Sequence, residues 1–175
     1  MKYWPAGIGA LALAVTAGFL LFRRKRESTD EIDGGVRHFV DTKAPKKIES
    51  TEITFFHCRF STTDLCPEDS PIADYIVTLR AFADGGYCQL RGRSESEKHF
   101  FPSEDFFRQL QQIISDYQFA RYNGTHYTVS GLPPNIGMEL EVRYASGEYI
   151  RASNNQSCFL PLKAMEELVA LFQKQ

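Results

Sequence analysis

Acidic residues are missing from the first twenty-six positions, and residues 3–22 carry no charge of either sign. A surface helix of a soluble domain needs a polar face, so this run is excluded as one. Twenty or so apolar residues in helical form cross a hydrocarbon core of about 30 Å. The run is therefore read as a membrane anchor that meets the lipid bilayer through residues 3–22. A cleaved signal peptide would place its basic residues first, then a shorter apolar run and a small-residue cleavage site. Here only Lys2 and the amino group precede the run, and Arg23-Arg24-Lys25-Arg26 follows it. No cysteine follows at once, so nothing supports a lipoprotein-type anchor.

Recognisable catalytic signatures are absent too. The chain contains no P-loop, no G-x-G-x-x-G, no H-E-x-x-H and no G-x-S-x-G. Its four cysteines, Cys58, Cys66, Cys88 and Cys158, make no C-x-x-C and no Cys/His spacing of a zinc site. No cofactor or metal is expected. His57 beside Cys58 has the look of a thiol–imidazole pair, but neighbours on a strand face opposite sides. Cys58 and Cys88 fall in phase with apolar strand positions and read as small buried side chains. Cys58 and Cys66 flank a short loop and would pair only in an oxidising compartment.

Charge is also scarce in one sign where it would matter for nucleic acid. Five of the twenty Lys and Arg lie in residues 1–26 and all twenty-two acids lie beyond, which leaves residues 27–175 at −7. An acidic domain lacks the basic surface that displaces counterions from a phosphate backbone, so no nucleic-acid partner is expected. Arg23, Arg24, Lys25 and Arg26 read instead as the anchor's flank. Basic residues collect on the cytoplasmic side of a span, which places the following domain in the cytoplasm. An extracytoplasmic domain is the alternative.

Residues 1–26 are thus assigned to the anchor and 27–50 to a flexible linker poor in large apolar groups. Residues 51–175 form one domain, long enough to bury a core. Within it Ala83-Asp84-Gly85-Gly86-Tyr87 is echoed by Ala145-Ser146-Gly147-Glu148-Tyr149. Each lies between strand-like runs, and each is followed by a proline, Pro102 or Pro161, that opens a helical pattern. Phe106, Phe107, Leu110, Ile113, Ile114 and Tyr117 trace one helix face, and Leu162, Met165, Leu168, Val169 and Phe172 another. Ser103 is placed to cap the first helix, ahead of an acidic first turn.

The second hairpin, with Gly147 left-handed in a three-residue loop, pairs Val142 with Ile150 and Leu140 with Ala152 inside. Outside it sets Glu141 against Arg151 and Arg143 against Tyr149, an ion pair and a cation–π pair. A four-residue loop in the first hairpin pairs Ala81 with Cys88 and Leu79 with Leu90. Residues 53–61 read as a strand with Thr54, Phe56, Cys58 and Phe60 in phase, and 126–129 as a short strand. The expected fold class is α+β: an N-terminal transmembrane helix, then an antiparallel sheet with two helices on one face, built from a duplicated β-β-α unit.

The sheet's outer face would then present Arg80, Arg91, Arg143, Tyr149 and Arg151 as candidate partner-binding residues, with Arg93, Glu139 and Glu141 among them. Arginine and tyrosine are enriched at binding hot spots. The expected function is that of a membrane-tethered, non-enzymatic module that binds a protein or peptide. Two alternatives are an enzyme whose pocket holds His57 or His126 with a carboxylate, and a structural subunit of a membrane complex. The runs Lys46-Lys47-Ile48-Glu49-Ser50-Thr51-Glu52-Ile53, Tyr144-Ala145-Ser146-Gly147-Glu148 and Ser153-Asn154-Asn155 give the soluble part a further association. It resembles uncharacterised, small membrane-anchored proteins of Gram-positive anaerobic bacteria. The resemblance implies a bacterial source and brings no activity or site residue with it.

Overall fold

The computed structural model describes residues 35–63, 67–130 and 137–175. The expected span at 3–22 and Cys66 lie outside the described residues. Among these no helix is long and apolar enough to cross a membrane.

Eight strands form one sheet: β1 (Val36–Val40), β2 (Ile53–Ser61), β3 (Tyr75–Phe82), β4 (Gly85–Gly92), β5 (Ser96–Phe100), β6 (Thr125–Val129), β7 (Met138–Tyr144) and β8 (Tyr149–Asn154). Their spatial order is β1-β6-β8-β7-β2-β3-β4-β5. Every neighbouring pair is antiparallel except β6 and β8, which run parallel. Among the described residues two helices complete the mixed α+β fold, α1 (Glu104–Asp116) and α2 (Leu162–Gln173). The 3-10 turn Phe119–Tyr122 leads from α1 towards β6.

Alternation sorts the sheet into two faces. Phe56, Cys58, Phe60, Val77, Leu79, Cys88, Leu90, Leu140, Val142 and Ile150 point inward and are buried. They form one core with Phe106, Leu110 and Ile114 of α1 and Met165, Leu168 and Phe172 of α2. Aromatic edges organise its centre: Phe172 meets Phe56, Phe100 and Phe106 at centroid distances of 5.7, 5.7 and 5.0 Å. Ser103 caps α1, its hydroxyl accepting from the Phe106 N–H at 3.1 Å, with Glu104 and Asp105 in the first turn. Pro161 precedes the first turn of α2.

The β7–β8 hairpin has the register its sequence calls for: Val142 opposite Ile150, Leu140 opposite Ala152, Glu141 opposite Arg151. Gly147 takes the left-handed conformation, φ 86°, in the three-residue loop. Its N–H reaches the Tyr144 carbonyl at 3.0 Å.

Three expectations are corrected. In the first hairpin Leu79 lies opposite Cys88 and Ala81 opposite Gly86, a slip of two positions, with only Ala83 and Asp84 in the loop. The slip keeps every side chain on its expected face, because the pleat repeats every two residues. The glycines serve the strand rather than the turn. A Cβ on Gly86 would sit 2.3 Å from the Phe100 ring, which needs that space to reach Phe106 and Phe172.

The second correction is Thr54. The register between β2 and β7 shifts between Ile53 and Phe55, so Ile53 is buried and Thr54 is exposed at an irregularity of the strand. The third is the linker. Val36–Val40 is a strand paired with β6, and Ala44 is buried, so the domain's structure reaches into the stretch read as linker.

The ordering of that segment depends on Asn123, which is fully buried. Its Nδ2 donates to the carbonyls of Pro45 (2.9 Å) and Tyr149 (2.7 Å), and its Oδ1 accepts from the Arg151 N–H at 2.8 Å. Gly124 continues the clamp: its N–H reaches the Arg151 carbonyl, and its own carbonyl accepts from the Asp41 N–H, both at 2.8 Å. Only glycine fits there, with φ 76° and a would-be Cβ 2.8 Å from the Asp41 oxygen. Replacing Asn123 by alanine strands three partly buried backbone groups; a fully buried one costs about 1–3 kcal/mol when left unsatisfied. Asn123→Ala is expected to lower unfolding free energy by roughly 2–4 kcal/mol in chemical denaturation, allowing for partial hydration of the gap. A loss under about 0.5 kcal/mol, the range of an ordinary surface substitution, would remove Asn123 from this role.

Candidate functional site

The outer sheet face divides into two halves of different character. On β7 and β8 the charges neutralise one another. Glu141 Oε1 lies 2.7 Å from Arg143 and 2.7 Å from Arg151. Burial pushes the Glu141 carboxyl up, but hydrogen bonds from Arg151 and Arg143 outweigh it and hold the group below its ordinary value. The expected ion pair of Glu141 with Arg151 is thus present. The cation–π partner differs from the expected one: Arg143 lies over the Phe55 ring at 4.9 Å, and Tyr149 stands exposed beside it. Phe55 and Arg143 are direct neighbours across the β2–β7 pair. Among the candidate binding residues, then, Arg143 and Arg151 are already occupied.

On β2, β3 and β4 the cations lack such partners. Among the described residues no carboxylate comes within ion-pair distance of Arg59, Arg80 or Arg91. Arg93, by contrast, is paired with Asp74 at 2.7 Å. Arg59 and Arg80 border a concavity of about 820 Å3 with His57, Tyr87 and His99 on its floor and sides. Phe82 and Phe101 stand at its rim, 39% and 87% exposed, which is unusual for phenylalanine. Asp84 and Glu139 supply its carboxylates. Strand pairing assembles the floor: His57 lies opposite Arg80, Arg80 opposite Tyr87, and Tyr87 opposite His99. The Tyr87 and His99 rings meet at 5.0 Å.

Among the five sequence-proposed binding residues, Arg80 alone borders this concavity. Arg91 lies on the same strand as Tyr87 but further along, opposite Ile76. Sequence reasoning passed over Arg59, Phe82 and Phe101. For Arg59 the signal was available, since alternation from Cys58 puts it outside. For Phe82 alternation from Arg80 carries the same signal; for Phe101 it was not available, because that residue lies beyond the end of β5.

The histidines are held in ways that bear on an enzymatic reading. His57 and Cys58 face opposite sides of β2, so they form no catalytic pair. His57 Nδ1 accepts from Arg80 Nε at 3.3 Å. Burial pushes the His57 imidazole below its ordinary value, and the Arg80 charge adds to the fall, against weaker pulls from Glu139, the Leu79 backbone and Glu141. No carboxylate hydrogen-bonds to it among the described residues. His126 Nδ1 lies 2.9 Å from the Ser153 hydroxyl, and its ring stacks on Phe39 at 6.1 Å. Burial and Arg151 lower its pKa, with Asp41 opposing. Both thiols of the core are kept protonated by burial; that of Cys88 is pushed up to about 11. Among the described residues no three His, Cys, Asp or Glu side chains are arranged to hold a metal ion.

Compared with known proteins, the chain matches no family model, no curated protein and no solved structure.

Both depressed imidazoles favour the neutral form in the fold. Their contribution to stability is complete above the unfolded-state value of about 6.5 and is lost as pH falls below it. Removing the Arg80 charge takes away one of the lowering influences on His57. Arg80→Gln is expected to raise the His57 pKa in an NMR titration and to soften the loss of stability as pH falls below about 6.5. A His57 titration unmoved by Arg80→Gln would show that burial alone sets it.

Proposed function

We propose that this chain is a membrane-tethered binding module, whose sheet takes a peptide segment bearing acidic and apolar side chains. One observation carries the reading: two guanidinium groups without a carboxylate partner among the described residues lie beside exposed phenylalanines in one concavity. An arginine so placed offers a forked donor to a ligand carboxylate. Phe82 and Phe101 offer apolar surface next to it, the pairing that hot spots favour. The β7–β8 half of the face contributes little, because its arginines would first have to leave Glu141. The uncharged run at 3–22 and the basic flank at 23–26 support the tether, which raises effective concentration at the bilayer, so a weak peptide site suffices. The order hairpin then helix occurs twice and supports a duplicated β-β-α unit, extended by β5 in the first copy.

Full-length protein in lipid nanodiscs, presented with an array of extended peptides of graded acidic and apolar content, tests the site. Peptides with Asp or Glu next to Phe or Leu are expected to bind best. Arg80→Glu with Arg59→Glu is expected to weaken them about tenfold or more, since like charge replaces a complementary one. Arg143→Gln should leave binding within about twofold, as a rim charge does. Equal losses from both variants, or no preference among peptides, would count against the concavity.

The tether has its own test. Alkaline carbonate extraction is expected to leave the full chain in the membrane pellet. A thiol placed by Ser28→Cys is expected to react with an impermeant reagent only after cell lysis. Labelling in intact cells would put the domain outside.

A further inference from the structure

A sheet of eight strands has two edges, and they are guarded unequally. The β5 edge carries Glu97, Lys98 and His99, and Lys98 is fastened to the Gln173 carbonyl at 2.9 Å. Charged residues of this kind are how sheets discourage pairing with other chains. The β1 edge has no lysine and no proline, and its pairing with β6 runs without a break in register. Instead it shows Phe39 at 58% exposure and Val40 at 43%.

Hydrogen-bond parity identifies which groups of β1 are unspent. The Ser130 N–H donates to the Gly35 carbonyl and the Asp41 N–H to the Gly124 carbonyl, both at 2.8 Å. In an antiparallel pair bonded residues alternate. Gly35, Arg37, Phe39 and Asp41 therefore bond to β6. Val36, His38 and Val40 turn their N–H and C=O groups away from β6, towards an edge where no strand of the described residues pairs.

The sequence of this strand is complementary to itself. An antiparallel copy centred on His38 sets Val36 against Val40 of the second copy, and Arg37 against its Phe39. Each outward-facing residue then meets an outward-facing residue, so all six backbone groups on each copy find partners. On the outer face two arginines lie against two phenylalanine rings, a favourable cross-strand arrangement. Sliding the copy by two residues sets Arg37 against Arg37 in one direction, a repulsive pair, and shortens the overlap in the other. Sliding by one residue sets outward-facing groups against residues already bonded to β6. One register thus stands apart from its neighbours.

We propose that two copies of this chain join through β1 across a twofold axis at His38, continuing each sheet into the other. The partner is a second copy, and the surface is separate from the peptide concavity.

Cysteine cross-linking of the full-length protein in lipid nanodiscs tests this. Paired Cα atoms in a bonded antiparallel position lie about 5.5 Å apart, within the reach of a disulfide. Val40 and its own counterpart would be about 14 Å apart, four residues along the strands. On mild oxidation His38→Cys is expected to give a disulfide-linked dimer well above the level of the parent chain, and Val40→Cys is not. Mixing Val36→Cys with Val40→Cys is expected to give the hetero-linked dimer. His38→Pro removes only an outward N–H, so adding it to that pair should abolish the link while circular dichroism stays unchanged. His38→Cys that remains at the parent level, or Val40→Cys that cross-links with itself as readily, overturns the proposal. So does a Val36–Val40 link that survives His38→Pro.

Discussion

The amide of Asn123 is the interaction on which the arrangement of this sheet depends. It is buried, and it ties together three stretches of chain that are remote in sequence: the strap around Pro45, the start of β6, and the Tyr149–Arg151 end of β8. Chain emerging from α1 has no local reason to lie parallel to β8. Asn123 and Gly124 bring it there by meeting the Tyr149 carbonyl and both backbone groups of Arg151. Once β6 is beside β8, β1 has an edge to join. The two outermost strands on that side follow from one polar side chain in an apolar setting. A low local dielectric makes such a group costly to leave unsatisfied and therefore a strong determinant of register.

The other half of the sheet is held by a different means. The meander β2–β3–β4–β5 needs no polar hub, because consecutive strands pair through short turns and its inner face packs on the Phe172 aromatic cluster. Glycine at position 86 accommodates the Phe100 ring, so β5 is held by aromatic packing as well as by its ladder. This division runs through to the surface. The hub side is electrically self-contained at Glu141, while the meander side leaves Arg59 and Arg80 without carboxylate partners among the described residues, beside exposed rings.

What could be read in advance was whatever follows from local period. Helix faces, the Ser103 cap and the inside–outside assignment of β3, β4, β7 and β8 come from alternation and 3.6-residue spacing, and these agree with the structure. The register of β7–β8 was legible because Gly147 selects one turn and a slip would bury arginine. The register of β3–β4 was not, since Gly85 and Gly86 fit either a loop or a strand beside a large ring. Nor was β1: a five-residue run holding Arg37 and His38 has no core of its own, and only its distant partner makes it a strand. The concavity was half legible. Its arginines and Phe82 follow from alternation, but the exposure of Phe101 depends on where the sheet ends. That is a property of tertiary structure.

Sequence distance between β1 and β6 carries a consequence for synthesis. Val36 pairs with Val129, about ninety residues later. Closure of so long a loop gains nothing until the partner strand has itself been placed by Asn123. As the polypeptide leaves the ribosome, the strands of the meander can pair with one another early, while the first strand waits for residues that are still being translated. The most N-terminal piece of the domain is thus among the last to be incorporated. Throughout that interval the unpaired, lysine-free segment stays available to any neighbouring nascent copy, so the time of greatest risk for mispairing falls before the domain is complete.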